Sequence, residues 1–196
     1  MRRLRLSLLA ALAAVVPVVV LAGCGTGGGG GTTPSVPPLR LVTILPTPNG
    51  LRDATPGRPA GAAQVQETLL GHPDPAIAKQ LTEVGLAEAA TRTWTGPGGR
   101  SLVVVVARYP DHDTALSIGA DAAEELLRRG GASAWTPQEI GGSRGARAGS
   151  GADAAAALSF AVGDVSLFAR SEGGLPDDVV ETAVARLATA LGAQPR

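Results

Sequence analysis

Leu102-Val103-Val104-Val105-Val106 is the segment that most limits what this chain can become. Valine branches at Cβ and favours extended backbone. A β-branched run without polar alternation is a strand buried on both faces. It is the candidate for the centre of a sheet. Thr91 to Thr95 alternates and is predicted as the preceding strand, turned back by Gly96-Pro97-Gly98-Gly99. A second hairpin follows later. Ala156, Leu158, Phe160 and Val162 alternate with smaller residues, and Val165, Leu167 and Ala169 return. Gly163-Asp164 between them is a two-residue connection with glycine first, as a type II′ turn requires.

Helical spacing accounts for much of the rest. Ala60 to Leu70 and Pro75 to Ala90 are predicted helices; in the second, Ile77, Leu81 and Val84 share a face, and Asp74-Pro75 offers a cap followed by a proline at the first helical position. Asp111 can cap a helix from about His112 to Arg129. Its apolar face is Leu116, Ala120, Ala123 and Leu127, widened by Ile118, Ala122 and Leu126. Pro176 to Leu191 carries Asp177 and Asp178 at its start, the stripe Val180, Val184, Leu187 and Leu191, and Gly192 as its stop. Leu39 to Leu45 is predicted as a first strand ended by Pro46, with a turn at Pro48-Asn49-Gly50. Ala132 to Ala148 is predicted as one or two strands with loops. This order suits an α+β domain: a mostly antiparallel sheet with helices packed against it. The regular βαβ alternation of a doubly wound parallel sheet is missing.

Ahead of this body lies a segment of different character. Arg2, Arg3 and Arg5 open the chain, no acidic residue precedes Cys24, and Leu6 to Val20 is almost wholly Leu, Ala and Val. A cationic start, a short apolar core and a small-residue cleavage region make a secretory signal. As a membrane span, Leu6 to Gly23 sits at the lower edge of the roughly 17–25 residues needed. Pro17 interrupts it and no basic flank follows. The segment ends on Leu21-Ala22-Gly23-Cys24, and Cys24 is the only cysteine. This pattern resembles the signal peptide of bacterial lipoproteins. The resemblance implies cleavage before Cys24, acyl chains on its sulfur, and a protein held on the extracytoplasmic face of the cell membrane. One acyl chain holds a protein only marginally, and stable anchoring takes two or more. Gly25 to Pro38 is rich in glycine and proline, the composition of a linker; a flexible chain of about 14 residues spans roughly 20 Å. The expected organisation is therefore signal peptide 1–23, lipidated cysteine and linker 24–38, and one domain over 39–196. With no second thiol, the domain has to be stable without disulfides.

Composition narrows the function classes. The chain has 17 basic and 17 acidic residues; without the three leader arginines the balance is 14 against 17, a formal charge of −3. That argues against a nucleic-acid binder, which carries a concentrated basic face, and disfavours strongly electrostatic binding to anionic lipid. Aromatics are 3% of the chain, too few for a stacking platform; Trp94, Trp135 and Tyr109 are expected as core or rim residues.

Few constellations could carry chemistry. Gly141-Gly142-Ser143-Arg144-Gly145 matches the nucleophile-elbow string of α/β-hydrolases. The glycine-rich stretch after it is a poor helix start, and both histidines, His72 and His112, precede it, against the usual order. Asp111, His112 and Asp113 are three possible metal ligands, but neighbours at a helix start diverge and Asp111 already has a capping task. Glu124-Glu125 is expected as a solvated helix face. Neither a phosphate-binding loop nor a dinucleotide fingerprint occurs. Arg144 and Arg147, close to several glycines, are candidates for anion binding through guanidinium and backbone amides.

The body resembles the small α+β lipoproteins of actinobacteria through Thr93-Trp94-Thr95-Gly96 before the valine strand and Phe160-Ala161-Val162-Gly163-Asp164-Val165 before the final helix. It is more distantly similar to the extracellular sensor domains of mycobacterial Ser/Thr kinases, which are disulfide-bonded where this chain is not. The expectation is a membrane-anchored, non-enzymatic binding or sensor-like module of the cell envelope, without catalytic residues, metal or cofactor, and with a small ligand or a protein as partner. The alternatives are a carrier of lipid or another hydrophobic ligand, and a hydrolase using Ser143.

Overall fold

The computed structural model describes residues 36–128, 131–137 and 140–193. Their elements, in order, are α1 (Pro38–Ile44), β1 (Arg52–Pro59), α2 (Ala62–Leu70), α3 (Pro75–Glu83), β2 (Glu88–Thr95), β3 (Ser101–Arg108), α4 (His112–Leu127), β4 (Ser133–Trp135), β5 (Arg144–Ala148), β6 (Ala155–Val162), β7 (Val165–Glu172) and α5 (Asp177–Ala190). The strands form one sheet in the order β1-β2-β3-β7-β6-β5-β4, and every pairing is antiparallel. The α+β class and the single sheet are as the sequence predicts.

Alternation along β3 decides which helices sit where. Leu102, Val104 and Val106 enter a core shared with Leu41 and Val42 of α1 and Val180, Val184 and Leu187 of α5. Val105 and Ala107 point the other way, to Val65 and Leu69 of α2, Leu81 of α3 and Ala115 and Ala122 of α4. The valine run is thus buried on both faces. It is not the middle strand, however: β7 is, one place further in. Ser166, Arg170 and Ser171 break up its apolar pattern, so β7 looks less central than it is, although all three are buried.

Three further expectations change. Residues 39–45 form α1 rather than a strand. Pro38 presets the first turn, and Leu41, Val42 and Leu45 are buried at helical spacing. Leu39 lies outside, so the buried positions follow the helical period and not the alternation of a strand. The strand expected there is supplied instead by β1, which sequence reading missed. Its Pro56 and Pro59 are tolerable only on an edge; Pro56 falls in the register slip between Thr55 and Arg58, and Pro59 is the last residue of the strand. Gly57 is required by the close approach of α1: a Cβ there would sit 3.0 Å from Val42 Cγ2. Finally, α3 stops at Glu83 instead of Ala90. Gly85 adopts φ 86°, and residues from Glu88 pair with β3 up to Arg108; alanine tolerates either state, and the tertiary pairing decides.

Other local expectations hold. Asp74 accepts from the amides of Ala76 (3.0 Å) and Ile77 (3.2 Å). The Gly163 turn has φ 56°, while Asp164 keeps a negative φ, which is type II′ and not I′. In α4, Ala115, Ala120, Ala122 and Ala123 are buried. Gly119 lets the helix lie against the sheet, since a Cβ there would run into Ser159 Oγ.

Tyr109, at the end of β3, is buried, and burial pushes its phenol well above the ordinary value near 10. A raised folded pKa contributes stability that is complete below the unfolded value and lost as pH rises through and beyond it. Thermal melts should therefore fall steeply above about pH 10, and Tyr109→Phe should flatten that limb. An unchanged slope would assign alkaline unfolding to other groups.

Candidate functional site

Cys24 lies outside the described residues. The other sequence candidates can be located. Arg144 and Arg147 both belong to β5, but three residues apart on a strand means opposite faces. Arg147 lies on the α5 side, where its Nε is 2.7 Å from Asp177 Oδ2 and its guanidinium stacks over Trp135 at 4.3 Å. Arg144 shares the α4 face with Ala146, near Asp121. There burial, reinforced by Glu124, raises the Asp121 carboxyl, while Arg128 and Arg144 oppose the shift. The fold does not bring the two arginines together, and Arg147 already has a carboxylate partner.

Ser143 is buried, and its hydroxyl donates to the Ile140 carbonyl at 2.7 Å. It leads into a strand, not a helix, so the turn is not a nucleophile elbow. Asp111 caps α4: Oδ1 accepts from Thr114 N at 2.8 Å, and hydrogen bonding to Thr114 is the main cause holding its carboxyl below the usual range. His112 Nδ1 lies 2.9 Å from the Gly163 carbonyl, a contact the Nδ1–H tautomer makes as a donor. The Asp-His-Asp triplet is a helix start. Among the described residues no three His, Cys, Asp or Glu side chains gather as a metal site would need. Glu125 pairs with Arg128 at 2.7 Å on an outer face of α4.

The concave feature that sequence reading missed is a shallow cleft of about 420 Å³ at one end of the sheet, lined by Pro97, Gly98, Arg100, Gly151, Ala152, Gly173 and Gly174. Three turns that are remote in sequence meet there. The 96–100 turn joins β2 to β3, the single helical turn Gly151–Asp153 precedes β6, and Gly173-Gly174 leaves β7. They touch backbone to backbone: a Cβ on Gly173 would be 2.6 Å from the Gly99 carbonyl. The lining is therefore mostly main chain, with Arg100 as its only charged side chain. Each glycine pair reads in sequence as an ordinary turn, and only the strand order reveals that they converge. Two residues inward from this end, Trp94 Nε1 and Ser171 Oγ are buried without a hydrogen-bond partner among the described residues; both residues pair with Leu102 and so share its face.

A second concentration of polar contacts fixes the start of the domain. Arg92 Nη1 donates to the carbonyls of Val42 (3.2 Å), Thr43 (3.2 Å) and Leu45 (2.7 Å) at the end of α1. Its other nitrogens meet Asp53 in a bidentate pair at 3.1 and 2.7 Å, and its Cζ lies over the Trp94 ring, 4.6 Å from the ring centre. Arg108 Nη2 donates to the Val36 carbonyl at 3.1 Å. Both arginines come from inner strands of the sheet and hold the two ends of α1.

This arrangement defines the class: one seven-stranded antiparallel sheet, with α1 and α5 on one face and α2, α3 and α4 on the other. Among solved structures, the fold is similar to the extracellular domain of PknH from Mycobacterium tuberculosis, with a TM-score of 0.51 at 10% identity, over 79% of this chain and 89% of that one. No family model matches the chain, and no curated protein sequence does.

Proposed function

We propose that this protein is a lipid-anchored, non-enzymatic binding module on the extracytoplasmic face of the membrane. The observation that carries the reading is Leu21-Ala22-Gly23-Cys24, an acceptor cysteine placed directly after a secretory leader and before a linker. The likeness in fold to a domain described as extracellular supports it. So does the state of the one nucleophile motif, whose serine is occupied by a neighbouring carbonyl. No helix among the described residues is long and apolar enough to cross a membrane. The glycine cleft is where a small ligand or partner segment would bind on this reading, and the guanidinium of Arg100 in its lining favours an anionic group. A carrier of lipid would need an enclosed apolar cavity, whereas the sheet faces are filled by side chains from five helices.

Intact-mass measurement of the native protein tests the anchor and the ligand together. The expected species begins at Cys24, carries palmitate-sized acyl chains, and releases any co-purifying molecule on denaturation. Cys24→Ser should move the protein from the membrane pellet to the soluble fraction. A native product that retains Met1, or an unchanged distribution of the serine variant, overturns the anchor.

A further inference from the structure

Among the described residues the exposed large hydrophobic side chains are Leu39, 36% exposed, and Ile44, 53% exposed. Both lie on α1. Leu41, Val42 and Leu45 take its inner side, so helical geometry places Leu39, Arg40, Thr43 and Ile44 together on the outer side. Thr43 Oγ1 donates to the Leu39 carbonyl at 2.7 Å, so its polar atom is satisfied within the helix. Arg40 is exposed and takes part in no ion pair among the described residues, while the outer side carries no acid. The result is a small amphipathic surface of two aliphatic side chains and one guanidinium.

Scattered exposed leucines need no explanation; these two differ by their place in the chain. Only 12 positions separate Cys24 from Val36, and a glycine-rich chain of that length spans roughly 20 Å. An acylated Cys24 would keep α1 at about that root-mean-square distance from the bilayer. Nor can the helix turn its outer side in against the body. Arg108 fixes Val36 in front of it, and Arg92 fixes the carbonyls at its end. Tethering also changes the affinity required. At an effective concentration on the order of millimolar, an interfacial affinity of the same order keeps about half of the molecules docked.

We propose that the outer face of α1 is a membrane-docking surface: Leu39 and Ile44 enter the interface of the bilayer that holds the acyl chains, and Arg40 meets anionic headgroups. The domain then lies on the membrane instead of standing off at the length of its linker. Although the body's net charge argues against strong electrostatic lipid binding, the local surface needs only one cation because the tether supplies the proximity. The proposal rests on the lipid-anchor reading.

Neutron reflectometry of the acylated native protein on a supported bilayer of phosphatidylcholine and phosphatidylglycerol tests it. Protein density should run into the headgroup layer without a gap. In the Leu39→Glu, Ile44→Glu double variant, equally acylated and with the native circular dichroism spectrum, a hydrated gap of roughly 20 Å should open. Three results overturn docking while leaving the anchor intact: a gap under the native protein, the same profile for both proteins, or a layer two domains thick, as a second copy seated on α1 would give. If no protein layer survives rinsing, the anchor reading fails and docking fails with it.

Discussion

Gly173→Ala is expected to cost about 3 kcal/mol of folding stability or more, against about 1 kcal/mol for Gly98→Ala in the neighbouring loop. Both glycines have positive φ, 75° and 70°, so both substitutions carry the penalty of left-handed backbone. Their surroundings differ. A Cβ on Gly98 meets nothing within 4 Å, whereas one on Gly173 lies 2.6 Å from the carbon and oxygen of the Gly99 carbonyl and from the Arg100 amide. Main chain cannot rotate aside as a side chain can, so the turns at the cleft have to separate. Urea denaturation of the two variants reads the difference directly; at a slope of about 2 kcal/mol per molar, the midpoints should lie about 1 M apart. Equal midpoints would mean that the turns move apart freely, and that their contact contributes little to the shape of the cleft.

The same contrast shows what could be read from the sequence. The β2–β3 and β6–β7 hairpins, the Asp74 and Asp111 caps, and α4 and α5 depend on residues within a few positions of one another, and local chemistry specifies them. α1 and β1 depend on one another across a distance. Arg52–Pro59 has no strand pattern of its own; it is held as an edge by β2, with Gly57 fitted under α1. Leu39 to Leu45 suits either period, and the choice is made by the cavity that Trp94, Leu102 and Val104 leave for Leu41, Val42 and Leu45. The candidate sites divide in the same way. Arg144 and Arg147 look like a pair in sequence, but strand geometry sends them to opposite faces. Arg100 and three glycine turns do not look like a group, and become one only because β7 lies between β3 and β6. The anchor motif is legible because it is linear.

Arg92→Ala should cost about 3 kcal/mol, with the loss concentrated at α1. The Arg92 side chain is 11% exposed, and its bonds to the Val42 and Leu45 carbonyls are part-buried, where a bond to a charged group is worth about 1.5–3 kcal/mol before non-additivity; those to Thr43 and Asp53 are exposed and contribute less. Truncation leaves those acceptors unsatisfied and uncovers Trp94. The exposed pair Lys79–Glu83, with side chains 78% and 59% exposed, serves as the control: Lys79→Ala should change stability by less than about 0.5 kcal/mol. Arg92→Lys should recover only part of the loss, because an ammonium keeps the charge but cannot span the helix end, the carboxylate and the indole face together. Hydrogen exchange locates the effect. In Arg92→Ala the amides of α1 should lose protection well before those of β6 and β7, because each end of α1 is held by one arginine and the far end keeps only Arg108. If instead the whole sheet loses protection together, Arg92 is a general core residue and not a latch on α1. If α1 stays protected, burial of Leu41, Val42 and Leu45 alone holds the helix, and the rigid presentation of Leu39 and Ile44 comes from apolar packing instead of the guanidinium.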